Sequence, residues 1–193
     1  MSNDWVKQEY SSKGYRKKEV KRVLYVDNIE NPIYKFKEEI DFIGENNKKP
    51  YAICIGLNPA KAQEELDDTN KRLIDLLQND YSGYYLFNIY PEITPTPEGI
   101  NKGDKENSEF LNKLKRLLKK RKYKKKDIVL FFGRTLYIPN SFVELIKKWS
   151  RHKRRIYITC HKDEFIHPGA NTDLELKEFK MEYMRTQIGI KIK

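Results

Sequence analysis

Four short apolar runs constrain the fold of this chain more than any other feature of its sequence. They lie at residues 51–57, 84–90, 128–132 and 155–160. A continuous apolar run of this length is typical of a β-strand that is buried on both faces of a sheet. The segments between the runs carry apolar residues at helical spacing instead, so strands and helices alternate along the chain.

These amphipathic segments predict helices at residues 71–79, 110–121 and 141–149. For the first helix we expect Asp67, Asp68 or Thr69 to be the N-cap, because a short polar side chain can accept a hydrogen bond from an unpaired backbone N–H. The third helix is expected to begin with a capping box formed by Ser141 and Glu144.

The alternation of strands and helices predicts right-handed crossovers and a parallel sheet of four strands with helices on both faces, a three-layer α/β/α fold. Residues 1–50 are polar, with β-like pieces at 23–26 and 33–36, and we expect them to form a cover or small hairpin. The α/β domain is then expected at 51–180, followed by a C-terminal tail at 181–193.

The charge balance indicates a polyanionic partner, since 39 Lys and Arg against 28 Asp and Glu give a net charge of +11. No run of about 18 apolar residues is present, so we expect no membrane-spanning segment. The N-terminus lacks the apolar segment of a secretory signal, which makes the cytoplasm the expected location. Two cysteines, Cys54 and Cys160, are too few for a disulfide framework or a four-thiolate site, and we expect no metal and no other cofactor.

Polar motifs follow the predicted strands at the positions where parallel α/β sheets bind ligands. The first strand leads into GLNPA at 56–60, the second ends near Asn88, and the fourth is followed by HPG at 167–169. Because the carboxyl ends of parallel strands meet at one edge of a sheet, we expect Asn58, Asn88 and His167 to lie close together.

The order of these motifs resembles the uracil-DNA glycosylase superfamily, in particular its mismatch-specific branch. That superfamily has a G-x-N/D-P motif after the first strand, a strand that ends in Asn, and an H-P-S/G loop near the end. The sequence also resembles the family called domain of unknown function 1643, through Asn58-Pro59, DDT at 67–69, Asn88, Gly133 and HP at 167–168. The match covers residues 50–172 and implies a glycosylase-like fold.

The resemblance implies a role for each of these residues. Breaking a nucleoside C1′–N bond builds positive charge on the sugar and negative charge on the base. Asn58 would orient water, Asn88 would read the edge of a flipped pyrimidine, and His167 would stabilise the charge on the base. Gly56 and Tyr90 would line the base pocket. Each residue also has an ordinary interpretation, as a turn residue, a loop-pinning amide, a loop histidine or a core aromatic.

Two positions depart from the pattern of the superfamily. Ala60 stands where uracil-restricted members have a Tyr that blocks a methyl group at C5, so the pocket would have room for 5-substituted pyrimidines. Asn171, close to Gly169 in a loop expected to contact DNA, stands where the resemblance implies an apolar wedge that pushes the base out of the duplex.

Basic residues are concentrated at 113–126. Such a cluster is expected to attract DNA phosphates and to make binding depend on salt, although a solvated helix face is the alternative interpretation. The candidates for phosphate contacts are Lys119, Lys120, Lys122, Lys124 and, after the third strand, Arg134.

The leading hypothesis is a monofunctional DNA glycosylase that hydrolyses the N-glycosidic bond of uracil or a 5-substituted pyrimidine in DNA. No lysine lies in the matched motifs, so we expect no Schiff base and no strand cleavage. One alternative is a non-catalytic protein of the same fold that binds DNA or a base. Another is an enzyme that acts on free nucleotides in a base-modification pathway, against which the +11 charge argues.

Overall fold

The computed structural model describes residues 5–13, 19–44, 49–59, 65–133, 138–152, 154–162, 164–168, 173–180 and 182–183. The strands are β1 Val6–Lys13, β2 Glu19–Val26, β3 Lys35–Phe42, β4 Tyr51–Gly56, β5 Gly83–Asn88, β6 Ile128–Leu130, β7 Ile156–His161, β8 Glu164–Phe165 and β9 Glu175–Glu178. The helices are α1 Asp68–Leu77, α2 Lys105–Leu117, α3 Arg121–Lys124 and α4 Asn140–Arg151. No helix within these ranges has both the length and the apolar character needed to cross a membrane.

All nine strands belong to one mixed sheet, in the spatial order β1-β2-β3-β5-β4-β6-β7-β8, with β9 also paired to β7. The prediction of a four-stranded parallel α/β/α sheet is therefore wrong. The apolar runs do form β4 to β7, which pair with one another in parallel. Antiparallel strands extend this group on both sides, with β1 to β3 joined to β5 and with β8 and β9 joined to β7.

The strands from the first 50 residues were hidden by their polarity. Along β2, exposed residues such as Glu19 and Lys21 alternate with buried ones such as Val20 and Arg22. Antiparallel strands often have one face in water, so they lack the continuous apolar run that marks a strand buried on both sides. The segment expected to be a cover or small hairpin thus supplies three strands to the main sheet.

The helices begin where capping is available, with one exception to the prediction. Asp67 is the N-cap of α1 and accepts a hydrogen bond from the Asn70 backbone N–H at 2.7 Å. The capping box predicted at the start of α4 is wrong: the N-cap is Pro139, and no side chain caps this helix. Ser141 already lies in the first turn, while Glu144 forms an ion pair with Lys147 at 2.6 Å.

Two apolar cores cover the two faces of the sheet. On the first face, here called the α1 face, Leu73, Ile74 and Leu77 of α1 belong to one core with strand residues such as Cys54 and Leu86. The second face, called the α2 face, packs against α2, α3 and α4 in a core that includes Phe110, Tyr123 and Phe142. Side chains alternate between faces along a strand, so these two cores identify the direction of every interior residue of the parallel strands.

A β-bulge changes this alternation at the start of β3. Tyr25 pairs with Lys37, but its neighbour Val26 pairs with Lys35, so Phe36 is an extra residue. Lys35 and Glu38 therefore lie on the same face, although three positions separate them, and a hydrogen bond joins them. Phe36 joins the core of the α2 face instead.

Candidate functional site

The carboxyl ends of β4, β5 and β6 form one edge of the parallel strands, called here the carboxyl edge. Gly56 pairs with Asn88, and the Phe131 backbone N–H donates to the Ile55 carbonyl oxygen at 3.0 Å. Leu86, Cys54 and Val129, each two positions earlier, all belong to the core of the α1 face. Asn88, Gly56 and Phe131 consequently form a row across this face at the carboxyl edge.

Gly56 is required by the side chains on either side of it. A Cβ atom at this position would lie 2.6 Å from Asn88 Oδ1 and 2.6 Å from Phe131 Cζ. The amide of one neighbour and the ring of the other thus meet above the backbone of Gly56. Any larger residue would separate them.

Asn88 is the most unusual member of this row. It is only 3% exposed, and its side chain makes no hydrogen bond to any residue that the structure describes. A buried amide without partners costs free energy, so such groups are rare unless a ligand or water completes them. The alternative interpretation, in which Asn88 pins the following loop, lacks the hydrogen bond that it needs.

His167 lies beyond Phe131 at the same edge. The two rings have centroids 5.9 Å apart, and the His167 backbone nitrogen is 3.0 Å from where a Cβ would be on Gly133. Gly133 has a φ of +66°, so both its conformation and this close approach favour glycine. Although part of the His167 residue is exposed, the protein atoms packed around the ring lower its pKa, while the Asp67 carboxylate opposes that shift.

Asn58 is held at the turn after β4. Its Nδ2 donates to Thr94 Oγ1 at 2.8 Å and to the Thr94 carbonyl oxygen at 2.9 Å. The Thr94 backbone N–H in turn donates to the Pro59 carbonyl oxygen at 3.0 Å. Asn58 therefore pins the turn to the proline-containing loop, as its ordinary interpretation predicts. Its Oδ1 accepts no hydrogen bond within the described chain.

The remaining predicted residues do not join this row. Tyr90 is buried in the core of the α2 face, where burial raises the pKa of its hydroxyl. Ala60, Arg134, Gly169 and Asn171 lie outside the described residues. In the described part of the chain, no group of three His, Cys, Asp or Glu residues could hold a metal ion.

Comparison with known families gives one result. The model of the family described as Protein of unknown function (DUF1643) matches residues 34–168, about two thirds of the chain. The chain belongs to the DUF1643 family. The region that matches DUF1643 includes β3 to β8, and therefore Asn58, Asn88 and His167. No curated protein matches the chain.

The DUF1643 region also contains a buried charged network that the sequence analysis missed. Glu38, fully buried on the α1 face, accepts hydrogen bonds from Arg22 Nε, from Lys35 Nζ at 3.0 Å and from Asn70 Nδ2 at 3.2 Å. The Tyr84 hydroxyl donates to Asn70 Oδ1 at 2.7 Å, which links the network to β5. The sequence gives little signal of it, because without the bulge Lys35 and Glu38 would be assigned to opposite faces.

Electrostatics hold Glu38 ionised inside the protein. Burial alone would raise the pKa of Glu38, but the charges of Lys35 and Arg22 lower it to about 2. Arg22 is 1% exposed and Lys35 is 2% exposed, so this carboxylate and both of its cationic partners are almost completely removed from water.

The predicted DNA-binding lysines lie at the opposite edge of the parallel strands, here called the amino edge. Lys122 Nζ is 4.4 Å from the centroid of the Tyr85 ring and 3.4 Å from Glu39 Oε1. Lys126 Nζ lies 5.4 Å from the centroid of Tyr51, the first residue of β4. The predicted lysines are Lys119, Lys120, Lys122 and Lys124, and all of them belong to this short segment between α2 and β6.

A cleft of about 610 Å³ also opens at the amino edge, where Lys49, Tyr51, Ser82 and Lys126 are among the residues that line it. None of the residues predicted to act on a base lines this cleft. The basic segment and the row at the carboxyl edge are thus separated by the length of the strands, roughly 20 Å for six residues.

Proposed function

We propose that this protein is a monofunctional DNA glycosylase that hydrolyses the N-glycosidic bond of uracil or a 5-substituted pyrimidine in DNA. The observation that carries this proposal is the buried Asn88 amide, which has no partner in the described chain and stands in a row with Gly56 and Phe131. The similarity of the motif order to the uracil-DNA glycosylase superfamily supports the same function.

The base would be recognised through the Asn88 amide. A carboxamide offers one acceptor and two donors, which matches the alternating carbonyl and N–H groups on the edge of a uracil-like base. A base that reaches this amide must leave the duplex, because the row lies inside the protein and not on an exposed face. Phe131, whose ring borders the same space above Gly56, supplies an apolar contact.

In hydrolysis, the C1′–N1 bond breaks and its electron pair moves to the base, while water oxygen forms the new bond to C1′. The Asn58 Oδ1 would accept a hydrogen bond from this water and orient it, since Nδ2 is already held by Thr94. An amide cannot accept the water proton, which passes to solvent. A neutral His167, favoured by the lowered pKa, would donate a hydrogen bond to the oxygen of the departing base.

One observation favours the second candidate, a non-catalytic protein that binds a base or DNA. The group at the water position is an amide that serves a structural purpose, because Asn58 pins the loop through Thr94. A protein that only recognises a base would need Asn88 but not an oriented water molecule. The two candidates therefore differ in their dependence on Asn58.

The test is release of the base from end-labelled duplexes with uracil or 5-hydroxymethyluracil opposite guanine. We expect abasic sites that break only after alkali treatment. His167→Ala and Asn58→Ala should each lower the rate at least tenfold, about 1.4 kcal/mol of transition-state stabilisation. His152→Ala, which changes an exposed histidine at the end of α4, is the matched control and should leave the rate unchanged.

Binding of these duplexes without any base release would contradict the enzyme proposal and support the binding protein. Binding of the mononucleotide but not of the duplex would support an enzyme that acts on free nucleotides. Undiminished release by both variants would show that the chemistry takes place elsewhere.

A further inference from the structure

Lys35 is a buried cation close to the row at the carboxyl edge. Lys35 begins β3 and Asn88 ends β5, so both lie at the same end of the sheet. Glu38 pairs directly with Leu86, and Asn88 is two positions further along on the same face. Asn88 is therefore the diagonal neighbour of Glu38, the residue to which the Lys35 ammonium is bonded.

The hydrogen bonds of Lys35 are incomplete. An ammonium group has three N–H donors, and among the described residues only Glu38 accepts from Lys35, through Oε2 at 3.0 Å. Lys35 is 2% exposed, so bulk water does not satisfy the other two donors. An ammonium with unused donors and an amide with no partner thus lie on one buried face within diagonal reach of each other.

Glu38 does not account for Lys35 by itself. Its Oε1 is bonded to Arg22 Nε, and Asn70 Nδ2 donates to both of its oxygens. One carboxylate is shared by two cations, so this triad carries a net positive charge where the dielectric constant is low. A negatively charged group next to Asn88 would complete both the charge balance and the hydrogen bonds.

We propose that Lys35 belongs to the base-binding site and supplies the positive charge that stabilises a pyrimidine in its anionic form beside Asn88. The proposal rests on the glycosylase function proposed above and adds to it a chemical preference of the site. When the C1′–N1 bond breaks, the electron pair stays on the base, which leaves as an anion delocalised over N1 and the adjacent carbonyl oxygens. The Lys35 ammonium keeps its proton and donates hydrogen bonds to this anion.

The test compares two free bases by calorimetric titration of the full chain at neutral pH. Barbiturate is a pyrimidine that is negatively charged at this pH, and uracil is neutral and of similar shape. Wild-type protein should bind barbiturate more tightly than uracil. Lys35→Met should weaken barbiturate binding by about tenfold or more, the worth of a hydrogen bond to a charged group, while uracil affinity changes much less.

Two further variants separate a binding role from a structural one. Lys37→Met removes the same side chain from the opposite face of β3, where Lys37 forms an ion pair with Glu39, and should leave both affinities unchanged. Lys35→Arg keeps the charge and should retain the preference for barbiturate. The ratio of the two affinities is the decisive quantity, because a general loss of structure would lower both together.

The outcomes distinguish the two proposals. If Asn88→Leu abolishes binding of both bases while Lys35→Met keeps the wild-type preference for barbiturate, the role of Lys35 is overturned and the base site remains. If wild-type protein binds neither base, both proposals are overturned. If Lys35→Met does not fold, loss of the preference in Lys35→Arg would still contradict the proposed role of the charge.

Discussion

The two edges of the parallel strands use polar side chains in opposite ways. At the carboxyl edge, polar groups such as Asn88, Lys35 and Glu38 are almost completely buried, and Asn88 lacks a partner in the described chain. At the amino edge, Lys122 and Lys126 lie against tyrosine rings at the surface. Charge at the surface attracts a polyanion from a distance, whereas a buried polar group distinguishes one ligand from another. The comparison indicates that attraction and recognition occupy different ends of this molecule.

The largest effect that separates the two regions should come from Glu38. Glu38→Gln leaves Arg22 and Lys35 buried without their carboxylate, and we expect it to cost about 3–5 kcal/mol of unfolding free energy. Glu39→Gln, on the opposite and more exposed face of the same strand, should cost about 1 kcal/mol or less. Urea denaturation of both variants measures the difference. Equal losses would mean that burial does not separate the two regions.

The same carboxylate should make stability depend on pH in a defined window. The folded-state pKa of Glu38 is lowered to about 2 from an ordinary value of 4.5. Its contribution to stability is therefore fully present above pH 4.5 and is lost as the pH falls toward 2. Urea denaturation at a series of pH values should show this loss in the wild type. Glu38→Gln should flatten the curve over this window, and an unchanged curve would contradict the assignment.

A substitution at Asn88 should separate stability from function. Asn88→Leu replaces a buried amide without partners by an apolar side chain of similar size, so we expect a gain of about 1–2 kcal/mol in unfolding free energy. Base binding and base release should nevertheless be lost. Thermal unfolding and the duplex assay test both halves. A variant that is less stable and still active would show that the amide serves the fold.

The smallest effect per residue is expected at the amino edge. Alanine at all four positions 119, 120, 122 and 124 should weaken duplex binding at low salt and flatten its dependence on salt concentration, by up to about 0.9 in logarithmic slope for each DNA phosphate that a lysine no longer neutralises. Preference among bases should not change, because these lysines are far from Asn88. Binding measured over a salt series checks this, and an unchanged slope would make the segment a solvated face.

The sequence was most informative where a single segment determines its own structure. The apolar runs predicted β4 to β7, and Asp67 was among the predicted caps of α1. The antiparallel strands were missed because β2 alternates polar and apolar residues, and such strands depend on partners far away in the chain. For α4, a matching Ser141 and Glu144 spacing was less decisive than Pro139, which begins the helix.

The candidate site divides in the same way. Topology allowed Asn58, Asn88 and His167 to be named from the ends of strands, whereas Phe131 and Lys35 were not selected. Phe131 resembles any core residue in its apolar run, and its contact with Gly56 emerges only from sheet register. Lys35 could not be selected because one extra residue, Phe36, decides which way its side chain points.

The bulge at Phe36 has a consequence for how this protein tolerates insertions and deletions. Removing that one residue would restore regular pairing between β2 and β3 with no loss of strand length, so the sheet itself could survive. Every side chain of β3 before position 36 would then project to the other side, and Lys35 would part from Glu38. Length variation among relatives should therefore be excluded from this strand and concentrated in loops, and a relative that lacks the extra residue should also lack a cation at position 35.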